Sequence, residues 1–158
     1  LVRFPNTRFN IDVKADTAVQ AVGPIVASHA ERVLLTAFSD ARRRTAMAAI
    51  MRAGANQRPA ASPGTFTVVK LVIAVWLRAR WLAARTLRGI DAVQIPERQG
   101  RLRVLSPRLI AMAHELGIEV HVWTVNESDD MRRLLDAGVD GIVTDRADVA
   151  LQVVAERK

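Results

Sequence analysis

From Arg8 to Lys14 the chain alternates without a break, with Phe9, Ile11 and Val13 on one face and Asn10, Asp12 and Lys14 on the other. A period of two is the signature of a β-strand. The same alternation returns over Glu119–Val125, where Val120, Val122 and Thr124 oppose His121, Trp123 and Val125. A helical pattern follows at once: Ser128 is placed to cap it, Asp129 and Asp130 put negative charge in its first turn, and Met131, Leu134 and Leu135 form one apolar stripe. Gly138 suits its C-terminal cap. The short β-branched run Gly141-Ile142-Val143-Thr144 then predicts a second buried strand, leaving Asp145 at its C-terminal edge.

The rest of the chain repeats this strand-then-helix order. A helix is expected over Thr17–Ala30, interrupted at Gly23-Pro24 where proline removes a backbone donor. A strand follows over Glu31–Ser39. Asp40 can cap a helix through Arg52, ended by Gly54. A short strand falls around Arg58–Ala61, and one long apolar helix extends from Thr65 or Thr67 through Arg88. That helix is too broken by Lys70, Arg78 and Arg80 to span a membrane; burial against a sheet is favoured over an interfacial position for Trp76 and Trp81. Asp91–Pro96 reads as a strand with Glu97 beyond its end, and Ser106-Pro107 starts a helix striped with Leu109, Met112, Ala113 and Leu116. Asp148–Arg157 closes the chain as a helix.

Six strand–helix units without a hairpin signature imply a parallel sheet. Neither GxGxxG nor GKS/GKT occurs, which disfavours an open nucleotide-binding sheet and favours a (β/α)8 barrel of the TIM type. With 158 residues, each unit takes about 26, so eight would need about 210. The expectation is an incomplete barrel of about six βα units, a single domain over residues 1–158. It opens on Leu1 without an initiator methionine and shows no targeting signal, as a fragment would.

Composition narrows the chemistry. The chain carries a formal charge of +7, no cysteine, no tyrosine, and lysine only at positions 14, 70 and 158. The absence of cysteine excludes disulfides and thiolate metal sites and suits a reducing cytoplasm. Arginine spread over the surface, without interleaved aromatics, is not a nucleic-acid footprint, although it draws the protein towards phosphates and anionic lipid. His29, His114 and His121 read as structural residues. No HExxH or GxSxG motif supports a zinc protease or a serine hydrolase. Asp12 and Lys14, two apart on one strand face, pair a hard oxygen ligand for Mg²⁺ or Ca²⁺ with an ammonium for a phosphate oxygen. Spacing alone is weak evidence for that role.

The segment VHVWTVN followed by MRRLLDAGVDGIVTD resembles the closing part of the glycerophosphodiester phosphodiesterase family, and NIDVK resembles one of its inner strands. The likeness extends from about Arg8 to Val153. It implies a TIM barrel of which this chain is the C-terminal three-quarters, and hydrolysis of glycerophosphodiesters to glycerol 3-phosphate and an alcohol. It implies a divalent metal, Mg or Ca, held in part by Asp12, with Lys14 on the phosphate, Trp123 lining the glycerol end and Asn126 at the same rim. The expected partners are a glycerophosphodiester or phospholipid-derived substrate, a membrane touched peripherally, and a second copy covering open barrel edges, with no nucleic acid. The expected location is cytoplasmic.

Two departures from the family pattern stand out. Ala37 precedes Phe38 where a serine is usual. The opening His-Arg-Gly, the Glu-x-Asp strand and the second histidine are not in this sequence, so the chain alone is expected to bind without turnover. A non-catalytic protein that holds phosphates or anionic lipid through its arginines is the competing reading.

Overall fold

A computed structural model describes residues 1–157. Strand β1 (Phe9–Asp12) pairs in parallel with β2 (Val33–Thr36), and β2 with β3 (Ala60–Ala61). A second parallel sheet has the order β4 (Ala92–Pro96), β7 (Glu119–Trp123), β8 (Gly141–Ile142). Between the strands run α1 (Ala18–Val26), α2 (Asp40–Arg52), α3 (Thr65–Trp76), α4 (Arg80–Thr86), α5 (Pro107–Glu115) and α6 (Ser128–Asp136); α7 (Ala147–Ala155) follows β8. Strand and helix alternate six times, as the periodicity predicts.

Asp91 joins the two sheets. Its backbone N–H donates to the Ala61 carbonyl at 2.9 Å, its carboxylate accepts from the Ala61 N–H at 2.8 Å, and its carbonyl accepts from Glu119. Arg58 grips the same carboxylate through two nitrogens at 2.6 and 2.8 Å. One step on, the hydroxyl of fully buried Ser62 accepts from the Gln94 N–H at 3.2 Å. The six parallel strands therefore run in one order, β1-β2-β3-β4-β7-β8.

That order is strongly curved. In a flat sheet β1 and β4 would lie three spacings, about 14 Å, apart, yet Asn10 on β1 donates to Gln94 on β4 at 3.3 Å. The strands form an arc whose inner face is concave. Helices cover the outer face, where Val13, Val33, Leu35, Val93, Ile95, Val120 and Val122 are buried.

Several boundaries differ from expectation for local physical reasons. The long apolar helix is two: Arg78 adopts φ 53°, a left-handed conformation that ends α3. The turn redirects the chain so that Ala83 and Leu87 reach the same core as Leu71 and Ala74. Helix α1 continues through Pro24, and a 3-10 segment (Ala27–Arg32) leads into β2. Gly23 lets α1 lie directly on α2, since a Cβ there would stand 2.8 Å from the Ala49 carbonyl oxygen. Ser128 is the first residue of α6, not its cap, which is Glu127 without a side-chain bond. Ser106 does cap α5, accepting from the Leu109 N–H at 3.2 Å. A hairpin went unforeseen: β5 (Arg98–Gln99) and β6 (Leu102–Arg103) pair antiparallel around Gly100 at φ 59°. Positive φ at the first of two loop residues is the geometry a Gly-X hairpin turn supplies.

Candidate active site

The alternation of β1 assigns its side chains to the two sides of the arc. Val13 is buried under the helices, with Phe9 and Ile11 packed against the same core. Asn10, Asp12 and Lys14 thus face the concave side. Asp12 sits in register with Thr36, at the C-terminal ends of both strands. Lys14 Nζ lies 3.9 Å from Asp12 Oδ2, and the Lys14 side chain is 79% exposed.

Deeper in the arc lies a polar layer. Asn10 Nδ2 donates to Gln94 Oε1, Gln94 Nε2 stands 3.4 Å from His121 Nδ1, and His121 Nε2 stands 3.0 Å from the Glu119 carboxylate. The donors chain in one direction if His121 carries its proton on Nε2. Gly141 faces this ring across the register, and a Cβ there would meet His121 Cδ2 at 2.7 Å. The second glycine of the GVDGIVTD segment is the residue that makes room for the histidine.

Towards the C-terminal ends of the strands the concave side turns aromatic. Trp123, last residue of β7, meets Phe38 edge to face, with ring centroids 6.3 Å apart and planes at 84°. The rings come from strands three places apart, so they close across the mouth. The Trp123–Thr124 peptide is cis. Phe38 is fixed from behind: its carbonyl accepts from the Thr65 N–H, and the next-but-one residue, Asp40, accepts from the Gly64 N–H, the Thr67 N–H and the Thr67 hydroxyl. A Cβ on Gly64 would stand 2.7 Å from both the Phe38 carbonyl and the Asp40 nitrogen, so only glycine permits this clasp. Burial works to raise the Asp40 carboxyl, but those bonds and the nearby Arg43 hold it below its ordinary value.

Two other polar residues at the mouth, Glu97 and Asn126, are engaged. Glu97 receives Arg133 through two nitrogens at 3.0 and 2.8 Å; that grip and a bond to Asp130 push the arginine further up from its already high pKa. Asn126 is at the rim as expected, but its side-chain oxygen accepts from the Thr144 hydroxyl and the Asp145 N–H, both at 3.0 Å. It ties the loop after β7 to the loop after β8. His29 contacts Arg32, and His114 pairs with Asp140. The structure thus brings Asp12, Lys14 and Trp123 to the same end of the strands, adds Phe38, and gives Asn126 a bracing role.

A divalent cation takes six or more oxygen ligands. Among the described residues no group of three His, Cys, Asp or Glu side chains converges. Asp12 offers one carboxylate, already near Lys14, and Glu97 is held by Arg133. The residues present do not by themselves fit a complete Mg²⁺ or Ca²⁺ site.

Comparison with known proteins gives a consistent result. The model of the glycerophosphoryl diester phosphodiesterase family matches residues 2–149. The chain is 39% identical, over 99% of its length, to "Probable glycerophosphodiester phosphodiesterase 2" of Mycobacterium tuberculosis, of which it covers 58%. A 48-residue stretch is 38% identical to "Glycerophosphodiester phosphodiesterase" of Caldanaerobacter subterraneus, covering 20% of that protein. Among solved structures, a glycerophosphodiester phosphodiesterase from Parabacteroides distasonis superposes with a TM-score of 0.64 at 18% identity, over 99% of this chain and 61% of that one. The chain spans less than two thirds of the length of these relatives.

Proposed function

The chain belongs to the glycerophosphoryl diester phosphodiesterase family, and from that premise we propose that it forms the phosphate-holding side of an enzyme that hydrolyses glycerophosphodiesters to glycerol 3-phosphate and an alcohol. In the whole protein the six strands would be part of an eight-stranded barrel. The observation that carries the reading is the Asp12–Lys14 pair on the concave side, at the strand ends where α/β folds keep their chemistry.

Lys14 neutralises a non-bridging phosphoryl oxygen, and its charge counts for more as oxygen charge grows at the transition state. Asp12 orients that ammonium and offers one oxygen to a divalent ion whose other ligands lie outside this chain. Bound there, the ion would polarise the phosphoryl group. Trp123 and Phe38 present apolar faces to the carbon skeleton of the glycerol and shield the phosphate from bulk water. Hydrolysis adds the oxygen of water to phosphorus and breaks the bond to the alcohol, which takes up a proton. None of the three histidines stands at the mouth for that transfer: His29 precedes β2 and His114 precedes β7, both at the opposite ends of the strands, and His121 lies deeper in β7, between Gln94 and Glu119. The proton-transfer groups therefore come from outside these residues, and the chain alone binds without turnover.

The test uses the whole protein and glycerophosphocholine. Lys14→Ala should lower kcat/KM by about 100- to 1,000-fold, and a chelator should abolish activity until Mg²⁺ or Ca²⁺ is restored. Activity of the Lys14→Ala protein within a few-fold of the natural one would overturn the assignment. Glycerol 3-phosphate should still bind the isolated chain, and weaken with Lys14→Ala.

A further inference from the structure

Apart from Thr65, Thr67 and Lys70, helix α3 is apolar throughout, a pattern that ordinarily marks an enclosed helix. Only its inner side is covered: Leu71, Ala74 and Val75 are buried in the core. Its outer side carries Phe66, Val69, Ile73 and Trp76 at helical spacing, exposed by 66, 49, 47 and 79%, and Leu77 and Trp81 extend the patch at 54 and 72%. This is contiguous apolar surface rather than scattered residues, and such patches mark interaction sites. Helices α3 and α4 lie outside β3 and β4, in the middle of the strand order. Strands added next to β1 or β8 would leave the patch bare.

Charge selects the occupant. From Thr65 to Ile90 there is no acidic residue, and there are five basic ones, Lys70, Arg78, Arg80, Arg85 and Arg88. Among the described residues only Arg80 has an acidic partner, Glu115 at 3.4 Å. A second copy docked on the same patch would set these like charges against each other. An anionic surface would complement them. Between α3 and α4 lies a crevice of about 340 Å³ lined by Thr67, Lys70, Ile73, Leu82, Arg85 and Thr86. Two cations and two hydroxyls there stand over an apolar floor, a setting suited to a phosphate whose attached chains lie against carbon. Lys70 Nζ sits 4.4 Å over the Phe66 ring, so the cation already rests on the apolar stripe.

We propose that the outer face of α3 and α4 seats the protein on an anionic phospholipid surface, with Phe66, Ile73, Trp76 and Trp81 in the interfacial zone and a lipid phosphate in the crevice between Lys70 and Arg85. Indole rings favour that depth, where one edge meets carbon and the N–H meets water. The inference rests on this surface and not on the hydrolytic reading.

Sedimentation of the full chain with phosphatidylcholine vesicles, with and without phosphatidylglycerol, tests it. Binding should require the anionic lipid and fall steeply with salt. Trp76→Ala with Trp81→Ala, and separately Lys70→Gln with Arg85→Gln, should each weaken it by about tenfold or more. Arg44→Gln with Arg52→Gln, an equal loss of charge on α2, should change it little, and circular dichroism should show every variant folded. No binding to anionic vesicles at low salt would overturn the proposal, as would equal losses from the α2 and α3–α4 variants. Binding that depended on Lys14 would place the lipid at the mouth instead and overturn it equally. A dimer broken by Trp76→Ala, without vesicle binding, would assign the face to a second copy.

Discussion

The two ends of the arc are built to different standards. Beneath β1 and β2 the buried residues are nearly all Val and Ala, with only Leu35 and Ile50 larger. Beneath β3, β4, β7 and β8 the core is twice as populous and includes Leu71, Leu87, Ile95, Leu109, Ile110, Met131 and Leu134. Part of the reason is the close approach at Gly23, which brings α1 against the backbone of α2 and leaves no room for large side chains. Larger apolar side chains bury more area and stabilise more. The half with the thinner core carries Asp12 and Lys14, while the sturdier half carries Trp123 and most of the bracing ion pairs at the mouth. Exposed Lys14 and Phe38 thus come from the side with the thinner core, and Trp123 from the other.

The contrast is easiest to break in the larger core. Leu134→Ala should cost about 3 kcal/mol and lower the global stability seen in urea unfolding. The same truncation at Leu35 should leave β4, β7 and β8 protected in hydrogen exchange while β1 and β2 open. Equal loss of protection in both halves after Leu35→Ala would show a single cooperative unit. Next in size, Asp91→Ala removes the Arg58 pair and leaves the Ala61 N–H without its side-chain acceptor, a cost of about 2 kcal/mol. The midpoint of urea unfolding, followed by fluorescence and circular dichroism, should fall accordingly. Gly141→Ala should cost about 1–2 kcal/mol, because the new methyl meets the His121 ring. His121→Ala in the same chain should recover most of it, in a double-mutant cycle read by thermal unfolding.

Acid should produce the mildest effect. Burial pushes the Asp40 and Asp91 carboxyls up, but hydrogen bonds from Gly64 and Thr67 to the first, and from Arg58 and Ala61 to the second, leave both below 3.8 when folded. Each therefore contributes stability that is fully present above the unfolded pKa and lost as pH falls through the folded one. The acid limb of a stability–pH curve should flatten in Asp40→Asn and in Asp91→Asn, with little change at neutral pH beyond a constant offset.

How far the sequence discloses this arrangement depends on the range of the interaction. Alternation over Arg8–Lys14 and Glu119–Trp123 is local, and it predicts both the strands and the faces of Asp12, Lys14 and Trp123. The break at Arg78 was hidden, because nothing in Leu77-Arg78-Ala79 announces a left-handed residue. The β5–β6 hairpin was missed because its strands are short and charged, with no apolar alternation to betray them. Phe38 was legible only as the residue after Ala37, where the family pattern has a serine, and its contact with Trp123 needs the curvature of the arc. The Asn10–Gln94–His121 layer spans more than a hundred residues and has no local signal, as does the bracing role of Asn126. Gly141 looked like an ordinary β-strand glycine until His121 was placed beside it.

Because consecutive parallel strands require the helix between them to run back, the apolar stripe of α3 stretches from Phe66, beside the mouth, to Trp76 at the opposite end of the arc. A molecule lying on that stripe lies on its side, with its opening turned along the bilayer plane. Small diesters drifting through the water layer would enter freely. Lipids still carrying two acyl chains would have to climb out of the leaflet to reach the same opening, so posture would sort substrates before any side chain touched them.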